Sequence, residues 1–266
     1  MPVGGSSRSL QCQQTRSAVK ATDTTRQGAT AAATIFPDTA IHGRPCLGNP
    51  LHHPYTTGAI VTGKRPFCVQ CLRPMRTCIC ALAVELNNRV ELCIVQHPEE
   101  ANNAKNTAGL LLASLKNNQK ITGEVFDQTY LHAQLFAAGK QPLLLYPPTP
   151  DEKSLGLQSP SPLPDLTTIP AEQLRLVLLD ATWRKSRKML YLNPVLQALP
   201  RFSLHNPPPG IYKIRKADSE NQLSTLEASC YALEQLEPGS HYQQLIAAFR
   251  CFVDQLASYN PAYSPP

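Results

Sequence analysis

The chain is predicted to be an α/β protein: a mostly parallel sheet with helices on both faces, preceded by a small N-terminal zinc knuckle of four cysteines. Three observations predict this. Short apolar runs alternate with helix-period stretches from Val90 to Ser258. Four cysteines, Cys68, Cys71, Cys78 and Cys80, crowd into thirteen residues. The run Leu174–Leu179, apolar except for Arg175, stops at Asp180, as a buried strand does where it delivers a carboxylate to a ligand-bearing edge.

Residues 1–63 are rich in Ser, Thr, Ala, Gln, Gly and Pro with no sustained apolar period, and are expected to be disordered. Their basic, Ser-rich start also overlaps in composition with transit peptides, and a reading frame opened too far upstream gives the same pattern. Residues 64–82 form the knuckle, 83–258 the α/β body and 259–266 a tail. In the body, strands are expected at 90–96, 121–126, 142–146 and 174–179, with an extended piece at 201–204. Helices are expected at 106–115, 128–138, from Thr182 onward, 224–236 and 241–258. Seven prolines between Pro147 and Pro170 mark an exposed loop.

The net charge of +6 is mild, so its placement matters more than its size. No apolar run approaches the ~18 residues of a membrane helix. The chain is therefore expected to be soluble and cytoplasmic, with no obligate protein partner evident. The cysteine crowding favours a reducing compartment and a metal over a disulfide framework. Thiolates spaced C-x2-C-x6-C-x-C converge on one tetrahedral ion and leave no position open for substrate. Reduced free thiols or an iron–sulfur cluster fit the same spacing. Arg65, Arg73 and Arg76 flank the knuckle, where they would meet nucleic-acid phosphates or simply be solvated. Cys93, Cys230 and Cys251 sit in apolar sequence, where cysteine acts as a small hydrophobe.

Asp180 is followed by Trp183, the one tryptophan, and by Arg184, Lys185, Arg187 and Lys188. Lys213, Arg215 and Lys216 make a second basic cluster before Ser224. Two such clusters beside one cleft make a track for an RNA backbone; charge runs are also commonly solvated faces. Gln96-His97-Pro98-Glu99 ends a strand at an irregular turn, with Asn106 or Thr107 as cap of the next helix. Tyr146-Pro147-Pro148 gives a rigid edge that suits an adenine slot or a plain loop entry. Ser224-Thr225-Leu226-Glu227 reads as a capping box, a sufficient explanation in itself, although amides at a helix start also bind carboxylates.

These motifs together resemble the DTW-domain family of tRNA-uridine aminocarboxypropyltransferases. Asp180-Ala181-Thr182-Trp183 matches its D-x-T-W signature. The cysteine run with Arg73-Pro74, the Gln96 turn with Asn106-Thr107, Tyr146-Pro147-Pro148 and Ser224–Ala228 follow in the family's order over residues 64–257. The resemblance implies a SPOUT-like fold whose C-terminal part forms a trefoil knot around S-adenosylmethionine. Spacing alone would have given an unknotted, doubly wound sheet, since knotted chains are rare. It further implies transfer of the 3-amino-3-carboxypropyl group to the ring imide nitrogen of a tRNA uridine, leaving 5′-methylthioadenosine. Asp180 would then be the catalytic base or the group that orients the imide. Thr182, Trp183, Tyr146, Pro147, Ser224 and Thr225 would line the S-adenosylmethionine site. Arg184, Arg187, Lys188, Lys213 and Arg215 would meet tRNA, and the cysteines would hold a structural zinc. The rival readings are a methyltransferase on the same fold, a non-enzymatic zinc-containing RNA-binding protein, and an aminocarboxypropyl transfer directed at rRNA.

Overall fold

The computed structural model describes residues 59–62, 65–101, 103, 106–147, 156–211 and 223–259. Lys213, Arg215 and Pro148 lie outside them, as does the chain before residue 59. A two-stranded antiparallel hairpin, β1 (Ala59–Thr62) and β2 (Arg65–Cys68), leads into the cysteine run. Its first strand falls in the stretch whose composition suggests disorder.

The body is a five-stranded sheet, β3 (Glu91–Gln96), β4 (Asn118–Thr122), β5 (Gln141–Leu145), β6 (Leu174–Asp180) and β7 (Arg201–Phe202), in the order β4-β3-β6-β5-β7. Every pairing is parallel. All carboxyl ends therefore share one edge, and β6 sits in the middle, inserted between two strands that precede it in sequence.

Side chains alternate along each strand, so each face receives its own apolar set. Leu92, Ile94, Leu143, Leu176 and Leu178 pack with α1 (Ala108–Ser114), α5 (Thr225–Leu236) and α6 (Gln243–Ala257). Cys93, Val95, Leu144 and Val177 pack on the other face with α2 (Gln128–Leu135), α3 (Trp183–Leu192) and α4 (Pro194–Ala198). This explains why β3 and β6 read as continuous apolar runs rather than alternating ones.

Arg175 breaks the β6 run and is nevertheless buried. Its guanidinium donates to the carbonyls of Gln134 (2.5 Å) and Leu135 (2.7 Å) at the end of α2, and to Glu91 Oε2 at 3.0 Å. The charge thus satisfies carbonyls that a helix end leaves unpaired and sits where the helix dipole favours a cation. At the same end of the sheet, fully buried Glu237 accepts from the amides of Arg89 (2.8 Å) and Val90 (3.2 Å) and from the Tyr242 hydroxyl. These contacts pin the amino end of β3.

Two elements differ from expectation. The second body strand lies at Asn118–Thr122 rather than 121–126, because β4 is a sheet edge and its polar Asn118, Gln119 and Lys120 mask it. The apolar Phe126 instead packs against the α2–α3–α4 side. The helix from Thr182 also breaks at Asn193, and Pro194 starts the separate α4 from its first position. Cys93 and Cys230 are free, buried thiols. No helix among the described residues is long and apolar enough to cross a membrane.

Candidate functional site

Asp180 closes the central strand and is 4% exposed. A carboxylate so placed is costly unless its oxygens are hydrogen-bonded. Three neutral donors converge on it. Gln96 Nε2 (2.9 Å) and Asn106 Nδ2 (2.6 Å) donate to Oδ2, and Thr225 Oγ1 donates to Oδ1 at 2.9 Å. The three donors come from the end of β3, the turn before α1 and the first residue of α5. The Asp180 carbonyl also accepts the His97 amide at 3.0 Å. Asp180 is thus the joint at which three separate segments meet. No salt bridge includes its carboxylate among the described residues.

The donors are themselves fixed. Asn106 Oδ1 accepts the Ala108 amide at 2.8 Å, so its NH2 must face Asp180. Gln96 must likewise turn its NH2 to the carboxylate. Its Oε1 is left buried with no hydrogen-bond partner among the described residues. A buried acceptor in that condition is a natural receptor for a ligand N–H. In the sequence Gln96 stands out only as part of a motif and Asn106 only as a motif member and candidate helix cap; for Gln96, a polar residue closing an apolar strand is the available signal.

Tyr146 and Trp183 form a second group on the opposite face of the sheet. Their rings stack with centroids 5.4 Å apart and planes 12° from parallel. Tyr146 is buried while Trp183 is 52% exposed, so one indole face rests on the tyrosine and the rest meets solvent. Thr182 caps α3 through its backbone, its carbonyl accepting the Ser186 amide at 2.8 Å. Thr182 and Pro147 are both exposed. Ser224 completes the expected capping box: its hydroxyl accepts the Glu227 amide at 3.2 Å, and Glu227 Oε2 accepts the Ser224 amide at 2.9 Å. Glu227 is fully buried and also takes the Ile211 amide, so a negative charge already occupies this helix start.

The basic face of α3 divides in two. Lys185 binds Glu99 at 2.6 Å and Lys188 binds Glu124 at 2.9 Å. The ammonium in each pair holds its carboxylate below the usual range. Glu124 Oε1 also lies 3.3 Å from His97 Nε2, while His97 Nδ1 accepts the Glu99 amide at 3.2 Å. An accepting Nδ1 assigns the ring proton to Nε2, which then donates to Glu124. Arg184 and Arg187, by contrast, are exposed and carry no ion pair among the described residues. Trp183, Arg187 and Tyr191 follow one another at helical spacing along this outer surface.

The four cysteine sulfurs all lie within 4.8 Å of one another, with Cys68–Cys80 and Cys71–Cys78 both at 3.7 Å. Sulfurs at ~2.3 Å from a tetrahedral ion stand about 3.8 Å apart, so the group is sized for a metal ion. Leu72 adopts a left-handed φ of 55°, and the turn delivers the amides of Gln70 and Cys71 to Cys68 Sγ. Burial pushes the Cys68 thiol up, but these amides and the neighbouring thiols outweigh it and bring it down to about 7. Burial pushes Cys78 up to about 11 and Cys80 up as well. Two of the flanking arginines make specific contacts: Arg73 is partly buried, whereas Arg76 stays exposed. Arg73 lies over the Phe252 ring at 5.2 Å and donates to the Asn106 carbonyl at 2.6 Å, and Arg76 lies 4.5 Å over Tyr259.

The DTW domain model matches residues 65–257. Among curated proteins, tRNA-uridine aminocarboxypropyltransferase 2 of Macaca fascicularis is 26% identical over 188 residues, covering 69% of this chain and 60% of that protein. The Mus musculus protein of the same name is 27% identical with the same coverage. That of Drosophila melanogaster is 29% identical over 189 residues, covering 69% of this chain and 71% of its own length. The chain therefore spans about 60% of the length of the two mammalian relatives. No solved structure matches it.

Proposed function

This chain belongs to the DTW-domain family, and from that premise we propose that it transfers the 3-amino-3-carboxypropyl group from S-adenosylmethionine to the ring imide nitrogen of a tRNA uridine. The observation that carries the reading is the buried, triply hydrogen-bonded Asp180 at the carboxyl edge of the central strand, where open parallel sheets gather ligands. Support also comes from the relatives, which are named as tRNA-uridine aminocarboxypropyltransferases. We take the insertion of β6 between β5 and β3 as support for a SPOUT-like knotted core.

In this reading the donor supplies an electrophilic carbon, and its sulfur departs as 5′-methylthioadenosine. The N–C bond forms as the C–S bond breaks, and the imide proton must leave. The uracil imide is mostly protonated at neutral pH, so an acceptor within hydrogen-bond reach assists. Asp180 has lone-pair capacity beyond its three donors and takes that proton or orients it. Gln96 Oε1, left without a partner among the described residues because the NH2 serves Asp180, is available to an N–H of the donor molecule. Thr225 keeps the carboxylate from rotating, which counts because alignment supplies much of the acceleration. The exposed indole of Trp183, backed by Tyr146, offers a stacking face, with Thr182 and Pro147 beside it. Arg184 and Arg187 take RNA phosphates, and Lys188 joins them only by leaving Glu124. Cys68, Cys71, Cys78 and Cys80 hold zinc, and four thiolates leave it no open position, so its role is structural.

One observation favours a second reading. Because Asp180 already accepts from three neutral donors, it would serve equally as a purely structural joint in an RNA-binding protein. Mass spectrometry of tRNA nucleosides from cells with and without the chain separates the two. Loss of the aminocarboxypropyl nucleoside in its absence is expected; an unchanged nucleoside profile refutes the transfer.

A further inference from the structure

We propose that Arg73 is a positioning residue that ties the four-cysteine knuckle to Asp180, so that metal occupancy of the knuckle governs the order of the candidate site. The observations form one continuous path. The turn that presents Cys68 and Cys71 also fixes the Arg73 backbone, whose carbonyl accepts the Cys68 amide at 2.8 Å. From that fixed point the guanidinium crosses the Phe252 ring and donates through Nη2 to the Asn106 carbonyl at 2.6 Å. Asn106 then donates to Asp180 Oδ2 at 2.6 Å. Only two side chains separate the knuckle from the carboxylate, although Arg73 and Asn106 are 33 residues apart in sequence and Asn106 and Asp180 are 74 apart.

Asn106 is the element with something to lose. It is buried, and each of its polar atoms has an assignment: amide to Asn103 (2.9 Å), Oδ1 from the Ala108 amide, Nδ2 to Asp180, carbonyl from Arg73. Removing Arg73 strips a charge-assisted bond from a buried carbonyl, and the residue must shift to find another partner. Any shift moves the NH2 that holds Asp180 Oδ2. A knuckle without its ion loses the restraint on residues 68–72, and with it the aim of Arg73. Coupling of this kind is reciprocal: a ligand that orders Asp180 also tightens the knuckle's hold on metal.

The test is hydrogen–deuterium exchange on the full chain. Wild type is compared zinc-loaded and chelated, and Arg73→Ala and Arg73→Lys are compared zinc-loaded. The informative amides are Ala108, bonded to Asn106 Oδ1, and His97, bonded to the Asp180 carbonyl. In zinc-loaded Arg73→Ala, exchange over 96–110 is expected to quicken about tenfold, a typical coupling, while β6 stays protected. Arg73→Lys, which keeps a donor, is expected to recover most of that protection. Chelating wild type is expected to spread fast exchange from 65–82 into 96–110. Unchanged exchange over 96–110 in Arg73→Ala overturns the proposal, as does an effect of chelation confined to 65–82. Loss of β6 protection in Arg73→Ala overturns it too, since the residue would then support the fold at large. Should the wild type transfer its group to tRNA, Arg73→Ala is expected to lower kcat about tenfold with KM for tRNA unchanged. A wild type that transfers nothing refutes the proposed function and leaves the exchange experiment to decide the link.

Discussion

Replacing Asp180 separates a chemical role from an architectural one, provided the replacement is chosen from the hydrogen bonds. Asp180→Ala is the wrong choice. It leaves Gln96 Nε2, Asn106 Nδ2 and Thr225 Oγ1 buried without their acceptor. Each orphaned donor costs about 1–3 kcal/mol, and together they consume much of a domain's typical margin of about 5–15 kcal/mol. Asp180→Asn does better. With its carbonyl oxygen in the place of Oδ2 it still accepts from Gln96 and Asn106. Its NH2 then donates to the Thr225 hydroxyl, which turns from donor to acceptor. Three hydrogen bonds survive, so the stability loss is expected at about 1 kcal/mol, a Tm drop of about 2–4 °C at this size. The asparagine cannot take a proton. If Asp180 assists removal of the imide proton, transfer to tRNA by Asp180→Asn should fall about 10²- to 10⁴-fold. The assay is single-turnover transfer with melting followed in parallel. A variant that melts as expected yet transfers within threefold of wild type refutes the role of base and leaves Asp180 as a joint.

The basic face of α3 yields a second expectation: Arg184→Glu with Arg187→Glu should raise KM for tRNA and flatten its salt dependence while sparing stability, as titrations at several salt concentrations would show. Arg175→Leu is expected to cost roughly 3 kcal/mol in denaturant unfolding, because Glu91 and two helix-end carbonyls lose a buried partner. Acid should loosen the anchoring of α3. Glu99 and Glu124 are held below the usual carboxylate range by Lys185 and Lys188. Their pairs are therefore fully stabilising above the unfolded value of about 4.3 and are lost as pH falls through the lower folded values. Amide exchange in α3 measured across that window should quicken, and only modestly in high salt, where the exposed pairs are already weak.

What could be read from the chain alone follows from how local each signal is. The β6 run with its terminal Asp180, the Trp183 turn, the cysteine spacing and the Ser224–Glu227 cap are contiguous patterns, and each has its structural counterpart in place. Where the information lies in space it could not be read. Gln96 and Asp180 are 84 residues apart in sequence, and only the parallel register of β3 against β6 sets them side by side. The same applies to Lys185 and Glu99, 86 residues apart, whose pairing removes a lysine from what reads as an open basic run. The polar edge strand β4 failed for a different reason, since an edge needs no apolar alternation to pair. Arg73 reads as a phosphate ligand or a solvated charge because sequence cannot tell an inward guanidinium from an outward one.

The most direct test of the central claim is an incubation of the purified, zinc-loaded chain with S-adenosylmethionine and tRNA, with both products quantified together. Methylthioadenosine and aminocarboxypropyl-uridine are expected in equal amounts. Adenosylhomocysteine with a methylated nucleoside, or tRNA bound tightly with neither product formed, would contradict that claim.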